Sequence, residues 1–142
     1  MATPKGLIYS LTGLFIIDRV AKYLALSDLS ETGLFCCQNL VGLRLHLNEG
    51  IAFGIPLPPA ISIILAAVVI FVLIFYLYKN RLSMATYFGG GLIVIGAVSN
   101  LLDKIFHGAV VDFLELARIS VINLSDVYIL TGIVLLLTRR SK

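Results

Sequence analysis

Charge is scarce in this chain. Only 13% of its residues are Asp, Glu, Lys or Arg, while 59% are hydrophobic. Soluble domains carry about a quarter charged residues, so the composition argues against a soluble globular fold. Cysteine is nearly absent. The two present, Cys36 and Cys37, are adjacent, and neighbours rarely bridge, which excludes a disulfide framework. They are expected to pack in an outer loop. Histidine is equally sparse: His46 and His107 stand in no H-E-x-x-H arrangement, so no metal is expected. There is no internal repeat and no low-complexity tract. The missing repeat, together with polar residues confined to part of the membrane depth, argues against a small transporter.

What the chain has in abundance is long apolar runs. About 20 apolar residues cross a hydrocarbon core at 1.5 Å per helical residue. Four segments reach or approach that length, at about residues 7–26, 60–78, 85–102 and 122–138. The 142 residues are too few for two such bundles, so a single domain over 1–142 is expected. A signal peptide is not expected at the first run, because Asp18, Arg19 and Lys22 interrupt it and no small-x-small cleavage site follows. The net charge of +3 does not point to nucleic acid, because of where the cations lie. Lys5, Lys79, Arg81, Arg139, Arg140 and Lys142 fall at the N-terminus, between runs two and three, and at the C-terminus. Four spans put those three places on one side, and the positive-inside rule makes that side the cytoplasm.

The connecting segments carry their own signals. Residues 41–48 alternate, with Leu43, Leu45 and Leu47 predicted on one face and Arg44, His46 and Asn48 on the other. This predicts a small sheet on the outer membrane surface. Pro56, Pro58 and Pro59 mark the start of helix 2, and the short 79–83 turn makes helices 2 and 3 antiparallel neighbours. Gly89, Gly90, Gly91 and Gly96 in helix 3 predict close helix packing, with that helix central. The fold class expected is an all-α membrane protein: a four-transmembrane-helix bundle with a small outer β-sheet.

Ionisable side chains inside a bilayer are costly and usually mark function. Here they cluster toward the outer leaflet: Asp18 and Lys22 on helix 1, Asn100, Asp103 and Lys104 on helix 3, Asp126 at the start of helix 4. Asp18 and Lys22, four apart, share a helix face and can pair. Asn100, Asp103, Lys104 and His107 also fall on one face. Such groups serve either as neutralising pairs that hold a bundle together or as parts of a site. Asp112 and Asp126 belong to outer segments that meet at the membrane surface. Two carboxylates within about 4 Å repel by about 4 kcal/mol at an effective dielectric near 20, so one holds its proton near neutral pH. Such a pair supplies acid and base together. The competing reading makes Asp126 a helix N-cap. A Ser99–Lys104 nucleophile is disfavoured, since five residues separate them on the helix.

Five motifs in order resemble the lipoprotein signal peptidases, the signal peptidase II family. Asn48-Glu49-Gly50-Ile51-Ala52-Phe53-Gly54 is similar to its N-x-G-x-A-F signature, and Asp18 with Lys22 to its D-Q-x-x-K motif. Ser99-Asn100-Leu101-Leu102-Asp103-Lys104 resembles G-N-x-x-D-R, residues 108–113 fit G-x-V-x-D-F, and residues 123–126 resemble N-x-A-D. Departures are Arg19 for Gln, Lys104 for Arg, Ser99 for Gly and Ser125 for Ala. The resemblance implies an intramembrane aspartyl endopeptidase of the inner membrane, without cofactor. It would remove signal peptides from diacylglyceryl-modified prolipoproteins just before the lipidated cysteine. Asp112 and Asp126 would be catalytic; Asp18, Lys22, Asn48, Asn100, Asp103, Lys104 and Asn123 would line the substrate site. The implied partners are prolipoprotein substrates and membrane lipids, with both termini cytoplasmic, the site toward the outer face, and the chain acting as a monomer. The alternative is a non-catalytic relative that binds lipoproteins.

Overall fold

The computed structural model describes residues 4–30, 33–36, 40–50, 58–80 and 83–138. Four helices, α1 (Pro4–Asp28), α2 (Pro59–Lys79), α3 (Met84–His107) and α4 (Leu124–Leu137), alternate with four short strands. These are β1 (Leu34–Cys36), β2 (Val41–Asn48), β3 (Val110–Leu116) and β4 (Ser120–Ile122), which form one antiparallel sheet in sequence order.

Each helix boundary has a local cause. Pro58 and Pro59 start α2, where a missing N–H costs nothing. The Ser83 hydroxyl accepts from the Thr86 N–H at 3.3 Å and caps α3. That helix runs five residues beyond the expected end at 102. Gly108 stops it with a φ of 75°, a left-handed conformation glycine adopts without strain. The extension puts Asp103 and Lys104 on regular helix. Helix α4 is shorter than the expected 122–138, because Ile122 still pairs in the sheet and Asn123 caps the helix.

Two helices, α2 and α3, are long and apolar enough to cross a membrane. The other two expected spans do not meet that standard among the described residues. Helix α1 has 25 residues, but Asp18, Arg19 and Lys22 break its apolar run. Helix α4 has 14 residues, about 21 Å at 1.5 Å per residue. The outward faces carry many large apolar side chains: Tyr9 and Ile16 on α1, Phe71 and Phe75 on α2, Leu130 and Leu137 on α4 are all exposed. Of the six cations that set the expected orientation, Arg81, Arg139, Arg140 and Lys142 lie outside the described residues, as do Cys37 and Pro56.

Helix α3 is central, as its glycines predict. Gly90 faces Leu77 of α2 and Gly91 faces Leu11 of α1. Against α4 the approach is backbone to backbone. A Cβ on Gly96 would stand 2.6 Å from the Ser125 carbonyl oxygen, and one on Gly132 would stand 2.5 Å from that of Gly89. These contacts fix the start of α4 beside the polar end of α3.

The 41–48 strand is present, but its faces differ from simple alternation. Leu43 pairs with Leu114, yet His46 pairs with Asp112, so the register shifts between them. Arg44 and Leu45 together oppose Phe113, which is a β-bulge. Cross-strand partners share a face. Leu43 therefore joins His46 and Asn48, while Leu45 turns to the small core around Ala25, Val111 and Phe113. Strand β3 is buried along most of its length, with α1 packed against it.

Gly132→Ala should cost about 1–3 kcal/mol, the usual range for forced overpacking. Gly13→Ala, which meets nothing within 4 Å, should be neutral or slightly stabilising. Thermal unfolding in detergent checks both; equal effects would contradict the α3–α4 contact.

Candidate active site

Helix α1 and the polar end of α3 build a four-charge cluster. Asp18, Lys22, Ser99 and Asp103 are completely buried. The Lys22 ammonium lies 2.6 Å from Asp103 Oδ2, donates to Asn100 Oδ1 at 2.7 Å, and stands 3.5 Å from Asp18 Oδ2. The expected Asp18–Lys22 pair therefore exists, but Asp103 is the closer partner. The reason lies in what else Asp18 holds. It accepts from the Ser99 hydroxyl, and from the Ser125 backbone N–H at 2.9 Å and hydroxyl at 2.8 Å. A carboxylate against the first turn of α4 also meets the positive end of that helix.

Arg19 completes the cluster. Its Nη1 donates to Asp103 Oδ1, to the Ser99 carbonyl at 3.2 Å and to the Ser99 hydroxyl at 3.1 Å. Asp103 Oδ2 also accepts from the Val111 N–H at 3.3 Å, which ties β3 to α3. Two cations face two carboxylates, so the cluster is neutral. Pairing is the condition under which such groups stay buried, because removing one partner strands a charge at about 3–5 kcal/mol. Arg19, Ser99 and Ser125 were not among the site residues expected from sequence. The signal for Ser99 was its place one turn before Asp103, and for Arg19 its place beside Asp18 on α1.

Asp112 and Asp126 sit next to this cluster. Among the described residues no Lys, Arg or His nitrogen pairs with either carboxylate within 4.0 Å. Asparagine amides hold them instead. Asp112, on β3, accepts from Asn123 Nδ2 at 2.6 Å and from Asn48 Nδ2 at 3.2 Å. Asp126, in the first turn of α4, accepts from Asn100 Nδ2 at 2.9 Å and from the Asn123 backbone N–H at 3.3 Å. Asn123 thus touches both acids. It is the N-cap of α4, its Oδ1 accepting from the Asp126 N–H at 2.9 Å. Asp126 is the third residue of a capping box and not the cap itself.

Burial pushes the Asp112 carboxyl from its ordinary 3.8 up to about 6, and the charge of Asp126 adds to the push. Hydrogen bonds from Asn123 and Asn48, and the charge of Lys22, pull the other way. A carboxyl in that range can give and take a proton near neutral pH.

Lys104 points elsewhere. Its ammonium donates to the Gly50 carbonyl at 2.8 Å, holding the segment after β2 over this end of the bundle. It is therefore parted from Ser99, whose hydroxyl is engaged inside the cluster. His107, on the same face at the last residue of α3, is exposed. Of the Asn48–Gly54 motif, residues 51–54 lie outside the described residues.

Comparison with known proteins is consistent with this layout. The family model described as Signal peptidase (SPase) II matches residues 10–141. The lipoprotein signal peptidase of Syntrophomonas wolfei subsp. wolfei is 35% identical over 131 residues, covering 86% of this chain and 83% of that one. That of Thermodesulfovibrio yellowstonii is 32% identical over 135 residues, covering 91% and 90%. A bacterial membrane enzyme solved by the in meso method at 2.3 Å resolution superposes with a TM-score of 0.85 at 20% identity, covering 98% of this chain and 96% of its own. The chain belongs to the signal peptidase II family.

Asp126→Asn should lower the Asp112 midpoint below about 6, because a neighbouring negative charge is removed. Asn48→Ala should raise it, because a bond to the ionised form is lost. Infrared titration of isotope-labelled aspartate reads both; shifts of the same sign would contradict this electrostatic account.

Proposed function

We propose that this member of the signal peptidase II family is an intramembrane aspartyl endopeptidase with Asp112 and Asp126 as its catalytic pair. It removes signal peptides from diacylglyceryl-modified prolipoproteins on the N-terminal side of the lipidated cysteine. The observation that carries this reading is a pair of carboxylates from β3 and α4, joined through Asn123 and, among the described residues, without a salt-bridge partner. Such a pair shares one proton, which is what general acid–base hydrolysis of a peptide needs.

In this reading Asp112 carries the proton and Asp126 is the base. Asp126 takes a proton from a water as its oxygen bonds to the scissile carbonyl carbon. Asp112 protonates the departing amine as the C–N bond breaks. The seven expected site residues divide by position. Asn48, Asn100 and Asn123 orient the two acids, and Lys104 with Gly50 frames the substrate side. Asp18, Lys22 and Asp103, completely buried, act from behind by fixing α1, α3 and α4.

All four helices cross the inner membrane in this reading, with both termini cytoplasmic and the sheet at the outer face. Support comes from the sequence positions of Lys5, Lys79, Arg81, Arg139, Arg140 and Lys142, at the two termini and between α2 and α3, which four spans put on one side. The inward pairing of Asp18, Arg19 and Lys22 lets α1 present an apolar exterior to lipid. The substrate, still in the bilayer, reaches the site laterally, its acyl chains against exposed helix faces. The protein acts as a monomer.

Asp112→Asn and Asp126→Asn should each cut turnover of a lipidated prolipoprotein by about 10²–10⁴-fold, the usual contribution of acid–base groups. A gel-shift cleavage assay with circular dichroism as the folding control decides this. Undiminished cleavage by either variant would end the aspartyl reading.

A further inference from the structure

We propose that the ion pair between Arg44 and Glu115 is a register lock, holding the β2 bulge that turns Asn48 onto Asp112. The proposal rests on the reading of Asp112 as a reacting acid and adds two positioning residues to it. Neither Arg44 nor Glu115 touches the catalytic pair, and no other part of the mechanism uses them.

The case begins with parity. Side chains on a strand alternate between faces, so a shift of one residue sends every later side chain to the opposite face. Strand β2 pairs Gly42 with Glu115 and Leu43 with Leu114, then His46 with Asp112 and Asn48 with Val110. The extra residue between these registers puts Asn48 on the Asp112 face, where its Nδ2 donates to Oδ2 at 3.2 Å. Without the bulge, continued pairing from Leu43 would set Leu45 against Asp112. Leu47 would face Val110, and Asn48 would pass to the other side of the sheet. The Asp112 carboxyl would then gain a leucine neighbour and lose an amide.

Something must hold that extra residue in place, since a bulge leaves backbone groups without ladder partners. Two contacts do so, both at the bulge. Arg44 Nε lies 2.9 Å from Glu115 Oε2, bridging the bulged residue to the strand beside it. Glu115 is only 5% exposed, so loss of Arg44 would leave a buried side chain without its ion-pair partner. The Leu45 N–H donates to the Ser30 carbonyl at 3.2 Å, which pins the bulge to the chain leaving α1. The ion pair fixes where along β3 the extra residue sits. The backbone pin fixes which way it turns. Leu45 can then enter the core around Ala25 and Val111 while His46 and Asn48 face Asp112.

The test is a double-mutant cycle on the full chain in detergent, using Arg44→Gln, Asn48→Ala and the two combined. Two quantities are read: kcat on a lipidated prolipoprotein, and the Asp112 titration midpoint by infrared. Arg44→Gln should lower kcat about tenfold, as expected for losing one hydrogen bond to a charged group, and should move the Asp112 midpoint upward. In the Asn48→Ala background it should add nothing to either quantity, because the bond it protects is already gone. Arg44→Lys, which keeps the charge, should restore most of both. Combining Arg44→Gln with Glu115→Gln leaves no lone buried charge and serves the cycle if Arg44→Gln alone does not fold. The titration arm decides the lock even if no substrate is cleaved, so its failure is distinct from failure of the proposed activity. An unchanged midpoint in Arg44→Gln, or effects that add fully in the double variant, would overturn it.

Discussion

An asparagine amide has one accepting end and one donating end, and the candidate site depends on three of them being anchored by the accepting end. Lys22 donates to Asn100 Oδ1, so the Asn100 NH₂ is left for Asp126. The Asp126 N–H donates to Asn123 Oδ1, so the Asn123 NH₂ is left for Asp112. The Gly50 N–H donates to Asn48 Oδ1, so the Asn48 NH₂ also reaches Asp112. Turning any of these amides would set donor against donor and oxygen against carboxylate, losing both bonds. The anchors are a buried cation, a helix start and a turn, on α1, α4 and the segment after β2. No single element makes the site; the fold has to bring all three anchors together.

The charge pattern has the same logic. Asp18, Arg19, Lys22 and Asp103 cancel one another, and their bonds to Ser99, Ser125 and Val111 join α1, α3, α4 and β3 at one end of the bundle. Asp112 and Asp126 then answer to each other and to neutral amides, with Lys22 adding a smaller pull on Asp112. Burial and the neighbouring acid then raise Asp112 to about 6, while the amides limit the rise. A free cation against the pair would instead favour full ionisation and remove the proton that acid catalysis needs.

Much of this was legible in the sequence because it is periodic or local. Long apolar runs gave the four helices, and the glycines of α3 marked its central place. The alternation at 41–48 gave a strand. Five short motifs named the residues of the candidate site and gave the family. What was not legible depends on contacts remote in sequence. The bulge needs Glu115 to meet Arg44, 71 residues apart, and a two-residue period cannot show it. Lys22 prefers Asp103 because Ser99 and Ser125 occupy Asp18, which the i,i+4 spacing of Asp18 and Lys22 conceals. Asn123, and not Asp126 as the competing reading had it, is the cap, because strand β4 ends one residue before it, at Ile122. Arg19 stands out in the sequence only as a departure from Gln, because its partners Asp103 and Ser99 lie 84 and 80 residues away.

The amide anchoring is open to direct observation. Neutron diffraction from perdeuterated crystals grown in lipid mesophase distinguishes amide nitrogen from oxygen and locates deuterons. The account predicts ND₂ groups of Asn48 and Asn123 aimed at Asp112, an ND₂ group of Asn100 aimed at Asp126, and, below pH 6, a deuteron on Asp112. An amide oxygen of any of the three facing its carboxylate would contradict it.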